Sequence, residues 1–352
     1  MRRFRSSLIH AGLSAMYVAG AHRWLAPLCA GVGAIFTLHH VRPARAGGFQ
    51  PNRHLEITPD FLRTTLAYLR ARGVDIITLD EMQRRLTAQD FSRRFACFTF
   101  DDGYRDNRDA ALPVMREFDA PMTVFITSDF AAGAGRPWWI ALERLIAAND
   151  AVEATINGAT LRLDARTDDA KAACFAQLHD RLRMLPADRD LQNAIDALCA
   201  RYRIDMAAIS AELCMSWPEL KEFARDPLVT LGAHSITHCN LAKIPREAAR
   251  DEMAGSRAAI EAQTGRPVRH FVYPYGGRTA AGAREFELAN ELGFATAMTT
   301  QPGMIFAQNA DRLTALPRVS LNGLYQEEHH LAVLASGGAT AMANGFRRLM
   351  PA

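Results

Sequence analysis

The chain has 352 residues, 49% hydrophobic and 22% charged, which places it among ordinary globular proteins able to bury a large core. A formal net charge of +3 and a pI near 8.6 are too mild to argue for nucleic acid as a partner, and leave a sugar or other small polar substrate open. Six cysteines without a CxxC pair do not form a disulfide pattern in a chain of this length and fit the reducing cytoplasm.

Residues 1–31 open with MRRFR and continue as an amphipathic helix whose arginines suit peripheral contact with an anionic membrane surface. The same stretch imitates an export signal with a cleavage site at Ala19-Gly20-Ala21, but His10 and two serines interrupt its apolar region. Without about 18 uninterrupted apolar residues, no spanning helix is expected. VGAIFTL (32–38) reads as a buried strand ending at His39 and His40. Thr58 as N-cap and Pro59 at the first helical position open a helix with Phe61, Leu62, Leu66 and Leu69 on one face. Strands follow at VDIITL, FACFTF, MTVFIT, VTLGAH, VRHFVY, FATAMTT and LTALPRVSL, with helical stretches between them. That alternation implies a parallel sheet curled into a barrel, spanning 32–325, with residues 326–352 as a C-terminal helix and tail. Residues 136–215 break the rhythm with Trp138, Trp139, a hairpin at Asn157-Gly158 and two helices, and are expected to be a mainly helical insertion forming a lid or substrate wall.

Polar residues gather where the strands stop, the end at which such barrels place their chemistry. Asp101 and Asp102 follow FACFTF, and His234 and His238 sit four apart in AHSITH. Two imidazoles and one carboxylate make a three-donor metal site with open positions, leaving the second carboxylate free to take a proton from water. FVYPYGG presents a Pro-Tyr-Gly turn at the same rim, the kind of turn that exposes N–H groups to an oxyanion, although a purely structural turn has the same look. Trp138, Trp139 and Tyr104 offer rings for stacking on sugars or for packing the insertion.

TFDDG (99–103), HSITH (234–238) and YPYG (273–276), in this order, resemble the first three motifs of the polysaccharide deacetylase family, the NodB-homology or carbohydrate esterase four group, from about Thr37 to Leu321. The resemblance implies an α/β fold, a deformed (β/α) barrel, and metal-dependent hydrolysis of N-acetyl groups on the amino sugars of a poly- or oligosaccharide or its lipid-linked precursor. It makes Asp101 the general base, Asp102, His234 and His238 the ligands of a divalent ion, zinc first, and the N–H of Tyr275, between Pro274 and Gly276, the oxyanion donor. Two departures stand out. Many members carry an arginine two residues before the proline of the third motif, where this chain has Val272, and Arg318 in LPRVS is the expected substitute. The late Leu-x-His motif is also missing; EEHHLAVL offers His329 and His330 only in a terminal helix. LHHV (38–41) is similar to the Tyr-His-x-Val start of permuted members, in which the catalytic histidine is N-terminal, and the general acid is expected at His40, with His39 as the alternative. A non-haem iron oxygenase and a catalytically silent glycan-binding barrel are the rival readings of the same residues.

Overall fold

The computed structural model describes residues 2–345, with side chains described from residue 9 onward. Twelve strands run in chain order: β1 (Gly33–Leu38), β2 (His40–Val41), β3 (Glu56–Ile57), β4 (Asp75–Ile76), β5 (Phe95–Phe100), β6 (Met122–Ile126), β7 (Ala151–Ile156), β8 (Ala159–Asp164), β9 (Val229–Ala233), β10 (His270–Val272), β11 (Thr296–Pro302) and β12 (Leu316–Ser320). Seven of them form a parallel barrel in the order β1-β12-β11-β10-β9-β6-β5, closed because β5 returns to β1 with Gly33 to Leu38 opposite Phe95 to Phe100. Short β4 extends the start of β5, beside the half that β6 leaves unpaired.

Strand alternation divides these residues between two environments. Ile35, Cys97, Phe125, Val272, Met298 and Leu316 meet inside the barrel, whereas Phe36, Phe98, Phe100, Leu231 and Phe271 point out into the layer beneath the helices. Both sides are buried, so the strands read as near-continuous apolar runs. The helix Pro59–Arg70 begins as its sequence dictates: the Thr58 hydroxyl accepts from the Phe61 N–H at 3.2 Å.

The insertion has its own apolar core, in which Trp138, Leu142, Leu178, Ile195 and Ile209 meet. β7 and β8 pair antiparallel across Asn157 (φ 51°) and Gly158 (φ 75°), both left-handed as a tight two-residue hairpin requires. The helices Asp168–Met184 and Asp188–Tyr202 pack alongside.

The N-terminal helix differs from expectation in being two, Arg2–Val18 and Ala21–Cys29, broken where Gly20 turns left-handed at φ 67°. Leu13 of the first packs against Tyr325 and Val333. No helix among the described residues is long and apolar enough to cross a membrane. Residues 346–352 of the expected C-terminal tail lie outside the described residues.

Candidate active site

Period-two alternation carries the inward face of each strand to its C-terminal end or just past it. On β5, Cys97 and Thr99 lead to Asp101; on β9, Gly232 leads to His234; on β12, Leu316 leads to Arg318. Gly232 is required by this packing, since a Cβ there would stand 2.3 Å from the Phe125 ring. After the strands the backbone turns sharply. Asp102 (φ 73°), Ser235 (φ 63°), His238 (φ 62°) and Tyr275 (φ 62°) are left-handed without being glycine, a strain that surrounding structure must hold.

Asp102, His234 and His238 converge, all buried. The Asp102 Oδ1 lies 3.5 Å from Nε2 of His234 and 3.4 Å from Nε2 of His238, and has no hydrogen-bond partner. For metal–ligand bonds of about 2.0–2.1 Å the edge of a tetrahedron is about 3.3–3.4 Å. The spacing and the orphaned carboxylate oxygen therefore both fit a metal ion held by these three donors. His234 Nδ1 donates to the Val272 carbonyl at 2.7 Å, which leaves the Nε2 lone pair facing Asp102. Glu252 fixes the loop: its carboxylate accepts from the N–H groups of Ile236 (2.8 Å) and Thr237 (3.0 Å) and from the Thr237 hydroxyl (2.9 Å).

The charges follow from this packing. Burial works against the Asp102 anion, yet His234 and His238 hold its carboxyl well below the usual range. Burial pushes the His238 imidazole down to about 3, the neutral form a metal ligand needs. For His234 burial also favours the neutral ring, but the carboxylates beside it win and raise its pKa.

Asp101 is held differently. Arg318, fully buried, grips both of its oxygens, Nη1 to Oδ1 at 2.8 Å and Nη2 to Oδ2 at 2.7 Å. The guanidinium is itself fixed by the Thr99 hydroxyl (3.1 Å) and the Thr299 carbonyl (2.9 Å). The pairing of β11 with β12 shifts register between Met298 and Pro302, next to Arg318, as a bulge that re-aims a side chain would do. Burial alone would raise the Asp101 pKa, and the Arg318 charge reverses this, so the carboxyl is depressed and ionised.

The two histidines of LHHV part company. Thr37 and His39 lie on the inner face: the Thr37 hydroxyl reaches the Asp101 Oδ2 at 3.5 Å, and His39 Nε2 stands 4.0 Å from the same oxygen. His40 points the other way, where Nδ1 meets Asp106 Oδ2 at 2.7 Å and its ring stacks on Tyr104 at 3.6 Å. The geometry thus brings His39, the alternative, to Asp101 and gives His40, the first choice, a place in the supporting wall. Burial pushes the His39 imidazole down, with Asp101 and Asp102 opposing. His329 and His330 lie at the Ser14 hydroxyl, in the layer of terminal helices.

The insertion roofs His238. The rings of Trp139 and Tyr275 lie 4.9 Å from its ring, Phe130 lies 5.9 Å away, and Trp138 Nε1 donates to the Tyr275 hydroxyl at 2.9 Å. Trp138, Trp139 and Tyr104 are buried, so packing rather than display accounts for them. Gly276 closes the third motif at φ 56°, where a Cβ would stand 2.5 Å from the Thr300 nitrogen. Sequence reading missed Thr99, Thr299, Asp106 and Glu252. Only the polar threonine inside the apolar run FACFTF carried a signal.

A closed parallel barrel gathers at its C-terminal rim a carboxylate and two imidazoles that could hold a metal ion, beside an arginine-held second carboxylate, a constellation suited to hydrolysis. The sequence profile of the polysaccharide deacetylase family matches residues 88–159 and 167–297, more than half of the chain, and the protein belongs to that family. It is accordingly a hydrolase acting on N-acetyl amide bonds. Solved structures share its fold. The deacetylase PplD of Streptococcus pyogenes, in complex with acetate, is 15% identical, with 82% of this chain and 92% of that one covered at a TM-score of 0.55. IcaB of Ammonifex degensii is 18% identical, with 87% and 96% covered and a TM-score of 0.53. A polysaccharide deacetylase of Bacillus cereus is 16% identical, with 86% and 68% covered and a TM-score of 0.53. No curated protein matches the chain.

Proposed function

We propose that this protein is a metal-dependent N-deacetylase of amino-sugar residues in a poly- or oligosaccharide, releasing acetate and leaving a free amine. The observation that carries the reading is the division of labour between neighbours: Asp102 faces two imidazoles with an oxygen that has no partner, while Asp101 is kept ionised by a buried arginine. Asp102, His234 and His238 would hold a divalent ion, zinc by the chemistry of the donors. Bound there, it would supply Lewis acidity toward water and the acetamide carbonyl.

Asp101 takes a proton from the water that attacks the acetyl carbon. The Tyr275 N–H, set by Pro274 and Gly276, donates to the carbonyl oxygen as charge builds there. His39 protonates the departing nitrogen as the C–N bond breaks, and the proton held by Asp101 restores it. Water is consumed, and acetate and amine are formed. Acetate release from N-acetylated glycans, lost in Asp101→Asn, tests the reading.

The partner is an N-acetylated glycan. The N-terminal helices are proposed to rest on an anionic membrane surface, with the enzyme on the cytoplasmic side; six buried, unpaired cysteines support a reducing compartment.

A further inference from the structure

At the barrel end opposite the candidate site, beside the first residues of β1 and β5, a cavity of about 260 Å³ lies between the outer strand face and the terminal helices. Its charges do not balance. Arg23, Arg72 and Arg94 line it with a single carboxylate, Glu328, and with the His22 imidazole. Arg94 donates only to the carbonyls of Ala30 (3.0 Å) and Ala335 (3.4 Å), and its buried Nε has no partner. Burial pulls its pKa below that of a free guanidinium. Arg72 donates to the Tyr68 carbonyl at 3.3 Å and lies 3.4 Å over the Tyr68 ring. His22 is 8% exposed and its Nδ1 is also unpartnered. Arg23 and Arg72 reach the cavity from its exposed rim, so the half-buried Arg94 is the cation that lacks a counter-charge, and an anion seated beside it would relieve this.

The remaining wall is apolar, with Ala34, Phe36, Leu69 and Met304, which suits a ligand carrying hydrocarbon beside its charge. The helix Ala21–Cys29 forms the cavity's edge with His22, Arg23 and Ala26, and one turn apart on it Trp24 and Leu28 are 81% and 70% exposed. Of the eight large apolar side chains exposed among the described residues, Ile9, Tyr17, Val18, Trp24, Leu28 and Met342 belong to the terminal helices. Exposed apolar rings and chains next to unpaired cations match the boundary between lipid head groups and hydrocarbon.

We infer that this cavity is a head-group site for an anionic phospholipid, filled when the terminal helices rest on a bilayer. The inference rests on the membrane contact proposed above and is independent of the barrel's chemistry. It turns the catalytic rim away from the bilayer, so the glycan arrives from the aqueous side.

The full-length chain is titrated calorimetrically with monomeric dihexanoyl phosphatidylglycerol and with inorganic phosphate, then sedimented with phosphatidylglycerol or phosphatidylcholine vesicles. The variants are Arg72→Gln, whose side chain makes no ion pair, and the charge-neutral Ala26→Trp, which fills the cavity edge. Wild type should bind the short-chain lipid at one site, at least tenfold more weakly in both variants, and should sediment only with the anionic vesicles. Unchanged acetate release and melting temperature in the variants exclude misfolding. Wild-type lipid affinity in both variants would overturn the head-group site, as would inorganic phosphate binding as tightly as the lipid. If anionic vesicles capture wild type and variants alike, the surface contact stands and the cavity site falls; if they capture nothing, both fall.

Discussion

Replacing Arg318 with methionine leaves the Asp101 carboxylate buried without its counter-charge, because among the described residues its cationic grip is the bidentate pair of contacts at 2.8 and 2.7 Å, with His39 standing off at 4.0 Å. Breaking a buried ion pair from one side costs about 3–5 kcal/mol, more than most single substitutions. Asp101→Asn, which strands the guanidinium instead, should cost a similar amount. The double variant leaves no unpaired charge, so its loss should fall short of the sum by at least about 2 kcal/mol. The pH dependence has a definite sign. In the wild type the Asp101 pKa is depressed, so its contribution is full above the unfolded carboxylate value of about 3.9 and disappears as pH falls through the lower folded value. In Arg318→Met the main cause of the depression is gone, and burial, opposed only by the more weakly acting His39 and His234, raises the pKa. That variant should recover stability relative to the wild type as the solution is acidified from neutrality, and its acid limb of kcat/KM should move to higher pH. Guanidinium unfolding of the four proteins at several pH values measures the stabilities, and the pH profile of acetate release measures the kinetic limb. A coupling below about 0.5 kcal/mol, with an unmoved pH profile, would refute the pairing as the device that keeps Asp101 ionised.

Asp101→Asn should abolish turnover yet retain the metal, whereas His238→Ala should lose the metal itself, both read by elemental analysis of the purified protein. His39→Ala should lower kcat by about 10²–10⁴-fold. His40→Ala should instead lower stability by about 1.5–3 kcal/mol through the lost contact with Asp106, leaving the turnover of folded molecules close to wild type; equal kinetic losses in the two would undo this division. Gly276→Ala puts a Cβ 2.5 Å from the Thr300 nitrogen at φ 56° and should cost about 1–3 kcal/mol in thermal or chemical unfolding.

The paired acids and the two histidines were legible in the sequence because each motif ends an apolar run, and a barrel gathers strand ends at one rim. Arg318 was legible as a substitute only because Val272 stands where an arginine was expected; its face follows from Leu316, two residues earlier and inside the barrel. The same rule separates His39 from His40. Ala34, Phe36 and Leu38 pack outward while Ile35 is inside, so Thr37 and His39 continue the inner face. The spacing of Tyr-His-x-Val, laid on LHHV, points to the same residue, His39. The carboxylate of Glu252 and the hydroxyl of Thr99 were illegible in their roles, since each meets its partner across a fold contact that no local pattern encodes. The break at Gly20 was equally hidden, because a glycine within a helical pattern is compatible with continuation.

The central claim is tested most directly by incubating the zinc-loaded wild type, Asp101→Asn and His238→Ala with a panel of N-acetylated oligosaccharides and measuring acetate. The account predicts acetate and a free amine in equal amounts from at least one glycan with the wild type and from none with either variant. Stoichiometric metal and tight glycan binding in the wild type, with no acetate from any member of the panel, would contradict it and leave a glycan-binding barrel without catalysis.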